Sequence, residues 1–371
     1  VFFIGLLMVL LAGFFFRVWA LGSESVWFDE AVSFRHLSAG SLAAYLRATR
    51  HDDPVMAPLY FVLQYFWGRL FGDSVFSIRL LSVAFGMGSI AVVSVWGRRM
   101  YGVWGGLVAG FCVAAANMHV FYSQEIRMYS LTWFCAACSG YTLYRWRETN
   151  SFTWLALHLE ANGALIFSHY FAVLLLAAEG IYLLLPPFSP RRLRWWCVGN
   201  AVWVLALVVW MITMDFEAMR YAAAWLPTID WNSIYSFLYW FSDANFNPFR
   251  PSAPVILLSV APLLRKACLV AFAWVLVWTV ARLVRVLRRF GVREGLERSG
   301  NEVYSLSILF VPVLLLAVMS VLFHPSFLVR YVGFSSFGLF LLAGGAVSAL
   351  ETRFVRVVVT VGLVSLLGAQ V

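Results

Sequence analysis

Charge is scarce in this chain of 371 residues: Asp, Glu, Lys and Arg make up 12% of it, against 62% hydrophobic residues. A mean hydropathy of +0.83 lies far outside the range of a soluble domain, which excludes a water-soluble globular protein. Lysine is almost absent, Lys266 being the only one among 27 basic residues. The net charge of +9 is carried by short arginine clusters between apolar runs. Such clusters orient a chain in a bilayer rather than bind nucleic acid, and no nucleic-acid partner is expected. Cysteine is sparse too. Cys112, Cys135, Cys138, Cys197 and Cys268 lie in or beside apolar segments, and Cys135 and Cys138 match C-x-x-C by letter alone, so neither a redox nor a zinc role follows. No repeat, low-complexity tract or Pro-rich linker divides the chain, and no stretch is polar enough for a soluble domain. An apolar run holds each end of the sequence, and truncation at both ends is an expectation.

Spans of roughly 17–25 apolar residues cross a bilayer. Apolar runs at about 1–21, 76–97, 103–121, 129–145, 152–169, 170–187, 197–214, 267–283, 304–323, 331–350 and 355–371 predict an all-α polytopic membrane protein of about 11 transmembrane helices, in one domain over 1–371. Arg98-Arg99, Arg145 to Arg147, Arg191 to Arg194, Arg282 to Arg293 and Arg353 to Arg356 fall in alternate gaps. The positive-inside rule places those gaps in the cytoplasm and the others outside. Segment 56–71 decides the parity. Arg69 and Gln64 interrupt it and it is short, so it is expected to lie in the interface, within a first extracytoplasmic loop over 22–75 that carries interfacial helices. A second extracytoplasmic loop region is expected over 215–266, with 254–264 as another interfacial piece because Arg265-Lys266 sits awkwardly in a span.

Polar groups at a membrane are costly and tend to mark function. In this layout one face collects Asp29-Glu30, His51 to Asp53, Arg79, Gln124 to Tyr129, His169-Tyr170, Asp215, Glu217 and His324 to Tyr331. A transporter would instead place ionisable groups near mid-bilayer between repeats. His158 and Glu160, deeper in a span, are expected to satisfy each other or a neighbouring helix.

The motifs W-F-D-E at 27–30, P-L-Y at 58–60, F-G-D-S at 71–74, I-R-L-L-S at 78–82, Y-S-Q-E-I-R-M-Y at 122–129, S-H-Y-F at 168–171 and R-Y at 330–331 follow one another in an order similar to the glycosyltransferase C superfamily. The resemblance is to the branch of protein O-mannosyltransferases, lipid A aminoarabinose transferases and their bacterial homologues. It covers about 1–190 well and the rest loosely, departing at Ala57 and over 215–300. It implies an integral membrane glycosyltransferase of the bacterial inner membrane, its site facing the periplasm or exterior. The donor would be a polyprenyl-phosphate-linked sugar, and the acceptor a hydroxyl on a protein, glycan or lipid. No nucleotide sugar is expected, since no α/β domain is present to hold one.

Inverting transfer needs a base for the acceptor proton and a cationic site for the departing phosphate. Asp29 is the candidate base, and Glu30 would orient Asp29 or the acceptor. Arginine's planar fork suits phosphate oxygens, which nominates Arg127, Arg330 and Arg79; their bland role is snorkelling or pairing with a carboxylate. The substrate pocket would include His51, Asp53, Pro58, Tyr60, Glu125, Tyr129, His169, Tyr170 and Tyr331. No cofactor is expected. Asp29 and Glu30 alone make a poor cage for a hard divalent ion, which some members of the superfamily use. The alternatives are a lipid-linked sugar flippase and a lipid-diphosphate-dependent polymerase or ligase.

Overall fold

The computed structural model describes residues 1–23, 25–224, 226, 228–230, 233, 255–352, 356, 360 and 362. Among these residues every regular element is helical, as expected of a backbone that must satisfy its own hydrogen bonds in lipid. The helices are α1 (Phe2–Val18), α2 (Phe28–Phe34), α3 (Leu42–Asp52), α4 (Pro58–Phe71), α5 (Val75–Ala115), α6 (Asn117–Ser123), α7 (Tyr129–Thr149), α8 (Phe152–Ser168), α9 (Leu175–Leu184), α10 (Pro190–Ile212), α11 (Phe216–Ala222), α12 (Val255–Phe290), α13 (Val292–Arg298), α14 (Gly300–Leu322) and α15 (Ser336–Ser348). Short 3-10 turns, Tyr170–Leu174 and Val329–Ser335, lead into α9 and α15. Among the described residues five stretches are long and apolar enough to cross a membrane: α5, α10, Lys266–Phe290, α14 and Val329–Ser348; Phe2–Val18 and Tyr170–Leu184 are shorter apolar helices. The chain is an integral membrane protein.

α5 is two arms folded back on each other. Gly102 makes the turn at φ 82°, a backbone region that a side chain opposes. Small residues then let the arms approach: a Cβ on Gly97 would stand 2.8 Å from the Gly105 carbonyl oxygen. α1 runs alongside. At one end the Arg98 guanidinium covers the Phe2 ring at 4.3 Å; at the other, Arg17 reaches the carbonyls of Val113 and Ala114.

Arg79, near the start of α5, donates to the carbonyl of Leu21 at 2.8 Å, so the segment 22–75 leaves and returns on one face. α4 has 14 residues and is about 21 Å long at 1.5 Å per residue, short of the roughly 30 Å hydrocarbon core. It buries Tyr60, Phe61 and Gln64 against the bundle and exposes Phe66, Leu70 and Phe71, the pattern of an interfacial helix.

Two expectations require correction. α12 runs without a break from Val255 to Phe290, so 254–264 is not a separate interfacial piece, and 255–266 belong to a helix rather than to a loop region over 215–266. At 36 residues it is about 54 Å long, and a helix can carry Arg265 and Lys266 past the end of its apolar stretch because its backbone hydrogen bonds are internal. The rest of that loop beyond α11, apart from 226, 228–230 and 233, and the span expected over 355–371, apart from 356, 360 and 362, lie outside the described residues.

Trp96, Trp133, Tyr304, Phe337 and Phe340 fill the core among α5, α7, α14 and α15. A second buried group joins α7, α8, α9 and α10. Glu179 takes a hydrogen bond from Ser139 and one from Asn162 Nδ2 at 3.0 Å; it lies 3.7 Å from His158 Nε2. Asn162 Nδ2 also reaches Asn200 at 2.8 Å. His158 thus meets a neighbouring helix rather than Glu160, which is exposed.

Candidate active site

The site is organised around a carboxylate that has no oxygen to spare. α2 begins at Phe28 and carries Asp29 and Glu30 in its first turn, where acidic side chains suit the positive end of the helix dipole. Glu30 is buried at 1% exposure. Its Oε1 accepts from Arg79 Nε at 3.0 Å and from the Ile126 backbone N–H at 2.9 Å. Its Oε2 accepts from Arg79 Nη2 at 2.7 Å and from the Trp27 N–H at 3.4 Å. One side chain therefore joins the loop before α2, the start of α5 and the loop between α6 and α7. Arg79 is engaged by Glu30 and by the carbonyls of Leu21 and Ser25, a bound structural cation rather than one presented to a ligand. Removing one partner of a buried ion pair costs about 3–5 kcal/mol. Glu30→Gln, which keeps one acceptor, is expected to lower unfolding stability by about 3 kcal/mol; chemical denaturation in detergent measures this, and an unchanged midpoint would contradict it.

Arg127 is anchored by one nitrogen. Its Nη1 donates to Ser33 Oγ at 3.1 Å, Asp53 Oδ2 at 3.2 Å and the Asp29 carbonyl at 3.3 Å. Its Nε is buried without a hydrogen-bond partner, and among the described residues no bond engages Nη2. Nε and Nη2 form the edge that matches two oxygens of a phosphate or carboxylate, and here that edge is held ready by the opposite corner of the guanidinium. Asp29 is partly exposed. Its backbone carbonyl accepts from Ser33 and Arg127, while its carboxylate makes no hydrogen bond among the described residues.

Glu125 lies beside these groups, 5% exposed, with Oε2 unpartnered. Burial pushes its carboxyl well above the usual carboxylate range, and Glu30 and Asp29 add to that while Arg330 and Arg127 oppose it. In its protonated form such a carboxyl donates a hydrogen bond as well as accepting one. Arg330 completes the group. Its guanidinium sits 5.6 Å from the Tyr129 ring and 5.8 Å from the Tyr331 ring, within cation–π range. His169 packs against Tyr331 at 4.7 Å and Tyr129 at 5.9 Å, and its Nδ1 is buried without a partner. Phe171 stacks on Tyr331 at 5.3 Å. Asp29, Glu125, Arg127 and Arg330 are within electrostatic reach of one another.

Other candidates stand apart. His51 is 89% exposed, and among the described residues its hydrogen-bond partner is Asp52. Asp52 is also bound by His36 and Arg35 at 2.8 Å each; the hydrogen bond from His36 above all holds its carboxyl at about 2. Tyr60 is fully buried, its hydroxyl 3.1 Å from Ser82 Oγ, behind the site. Pro58 starts α4, where its missing N–H is no loss. Tyr170 donates to the Met56 carbonyl at 2.6 Å and accepts from Trp210 at 3.0 Å, tying the first loop to α10. Sequence reasoning missed Ser33, Arg17 and Gln124. Ser33 carries no signal; Arg17, a lone charge in an apolar run, does. Among the described residues no group of three or more His, Cys, Asp or Glu is arranged to hold a metal ion.

The family model for dolichyl-phosphate-mannose-protein mannosyltransferases matches residues 52–214. In three dimensions the chain is similar to ArnT from Cupriavidus metallidurans in the apo state, with a TM-score of 0.57 at 16% identity over 94% of this chain and 60% of that one. It is similar to the same protein bound to undecaprenyl phosphate, at 0.55 and 16% over 96% and 61%. The oligosaccharyltransferase of Archaeoglobus fulgidus in the apo form gives 0.52 and 12% over 100% and 56%. The chain spans about 60% of the length of the ArnT structures it matches. No curated protein matches it in sequence. At these identities the likeness is one of fold: the chain has the fold of the ArnT structures, and over 52–214 it is similar to the mannosyltransferase family model.

Proposed function

We propose that this protein is an inverting glycosyltransferase that moves a sugar from a polyprenyl-phosphate donor to an acceptor hydroxyl, on the extracytoplasmic face of a bacterial cytoplasmic membrane. The observation that carries it is the unhindered Asp29 carboxylate beside the unpartnered Nε–Nη2 edge of Arg127. The ArnT structure with undecaprenyl phosphate supports the class of donor, and the mannosyltransferase family match supports the class of reaction.

In this mechanism the acceptor oxygen forms its bond to the anomeric carbon as the bond from that carbon to the phosphate oxygen breaks. Asp29 takes the acceptor proton, and the released polyprenyl phosphate keeps the electron pair. Arg127 and Arg330 stabilise the charge gathering on the phosphate, the kind of fixed electrostatic complement that dominates many enzymes. Glu30 positions: by holding Arg79 and the Ile126 N–H it keeps α2 and the Arg127 loop in register. Glu125, His169 and the rings of Tyr129 and Tyr331 would line the sugar's side of the pocket, with Asp53 behind Arg127. The first loop, 22–75, serves as the roof of a single transmembrane domain.

The test is transfer from a labelled undecaprenyl-phosphate sugar by the purified protein in nanodiscs, with donor binding followed by native mass spectrometry. Binding of undecaprenyl phosphate and release of labelled sugar are expected; failure of the full protein to bind the lipid phosphate overturns the proposal. Orientation is checked separately. With the exposed Cys197 replaced, single cysteines at Ser38 and Glu217 are expected to react with an impermeant thiol reagent from outside and one at Thr149 is not. Ser38, Glu217 and Thr149 are all exposed, so opposite labelling of Ser38 and Glu217 would break the shared outer face.

A further inference from the structure

α1 and the second arm of α5 end side by side at the site, and each leaves C-terminal carbonyls without a donor of its own. Side chains cap both ends, Arg17 that of α5 and Gln124, the C-cap of α6, that of α1. Arg17, fully buried, donates Nη2 to the Val113 carbonyl at 2.9 Å, Nη1 to those of Ala114 at 2.9 Å and Gly13 at 3.1 Å, and Nε to Ser123 Oγ at 3.1 Å. In return Gln124 places its Nε2 at 3.1 Å from the Arg17 carbonyl, 3.1 Å from that of Trp19 and 3.3 Å from that of Phe16. These carbonyls belong to the last turn of α1 and its C-cap, where donors and positive charge are favoured.

Gln124 opens the stretch that runs through Glu125, Ile126 and Arg127 to α7. That stretch is pinned at Gln124 by its side chain and at Ile126 by the bond to Glu30; Arg127 follows at once. We propose that Gln124 is a positioning residue, which sets where the free edge of Arg127 lies relative to Asp29 by clamping the loop to the end of α1. This role rests on the proposed function. It acts through Arg127 and touches no reacting atom, yet a shift of about 1 Å at such a group can cost on the order of 10²-fold in rate.

Arg17 is a poor probe, since its loss strands the carbonyls of Val113 and Ala114 inside the bundle. Gln124 is a better one. Gln124→Met keeps length and volume without donors, whereas Gln124→Lys supplies an ammonium whose three N–H groups suit the three carbonyls. The experiment compares the full protein with both variants in nanodiscs by hydrogen–deuterium exchange of the peptide containing 124–128, by undecaprenyl phosphate binding and by transfer. Gln124→Met is expected to exchange faster at 124–128 with an unchanged melting temperature, and to lose roughly tenfold or more in turnover. Gln124→Lys is expected to restore both exchange and turnover to within about threefold of the parent. Unaltered exchange in Gln124→Met overturns the role, as does faster exchange with full transfer, or a Lys variant no better than Met. A parent that fails to bind undecaprenyl phosphate overturns the proposed function and this role with it, whereas parent-like exchange in Gln124→Met removes this role alone.

Discussion

Asp29→Asn is expected to lower single-turnover transfer by roughly 10²–10⁴-fold, the usual contribution of a positioned base, with expression, melting temperature and lipid binding close to those of the parent. An acceptor hydroxyl is a weak nucleophile near neutral pH, so the transition state gains when a carboxylate takes its proton as the new bond forms. Asparagine is nearly isosteric but has no basic oxygen. The structure makes this substitution unusually clean, because the Asp29 carboxylate makes no hydrogen bond among the described residues while its backbone carbonyl carries the bonds from Ser33 and Arg127. The measurement is transfer from a labelled polyprenyl-phosphate sugar under single-turnover conditions, with donor binding followed separately. Full activity in Asp29→Asn would remove the base from the mechanism and the main chemical reason for placing the site at W-F-D-E.

Arg127→Lys is expected to cut turnover by about 10²–10³-fold, the scale seen when a preorganised donor to a developing oxyanion is lost, and to weaken binding of undecaprenyl phosphate. Charge is preserved, so electrostatic attraction alone predicts a small effect. Geometry predicts a large one. The ammonium has no planar fork, and Asp53 and Ser33, which now hold Nη1 at 3.2 Å and 3.1 Å, would draw it away from the pocket. Because that pairing survives, the Lys variant should fold. Arg127→Ala should not fold as well, since it leaves Asp53 buried and unpaired, a change that costs about 3–5 kcal/mol. Turnover and donor affinity unchanged in both Arg127→Lys and Arg330→Lys would take both arginines out of phosphate recognition.

Much of the site is visible in the sequence because its motifs are contiguous and sit in the gaps between spans. W-F-D-E and Q-E-I-R fall in gaps that the arginine clusters assign to one face, and Glu30 does bond to the backbone at Ile126. The identity of each arginine's partner was not visible. Arg79 and Arg127 both stand near acidic residues in the chain order, yet Arg79 is locked to Glu30 across 49 residues, and Arg127 keeps one edge free. His51, adjacent to Asp52 and Asp53, is exposed and bonds to Asp52. Gln124 stood among the collected polar residues but was given no role, because an amide's importance lies in the carbonyls it meets.

Membrane insertion and the helical class were determined by sequence alone, since length of apolar run and capacity for internal hydrogen bonding are local properties of the chain. Tertiary structure decided how α4 packs, where α12 begins, and which carboxylates are bound and which are open. Those outcomes depend on contacts such as Arg17 to Ala114 and Gln124 to Trp19, made between residues 97 and 105 positions apart. A buried polar group takes whichever partner the packed helices bring within hydrogen-bond distance, and that distance is a property of the assembled bundle rather than of any segment within it.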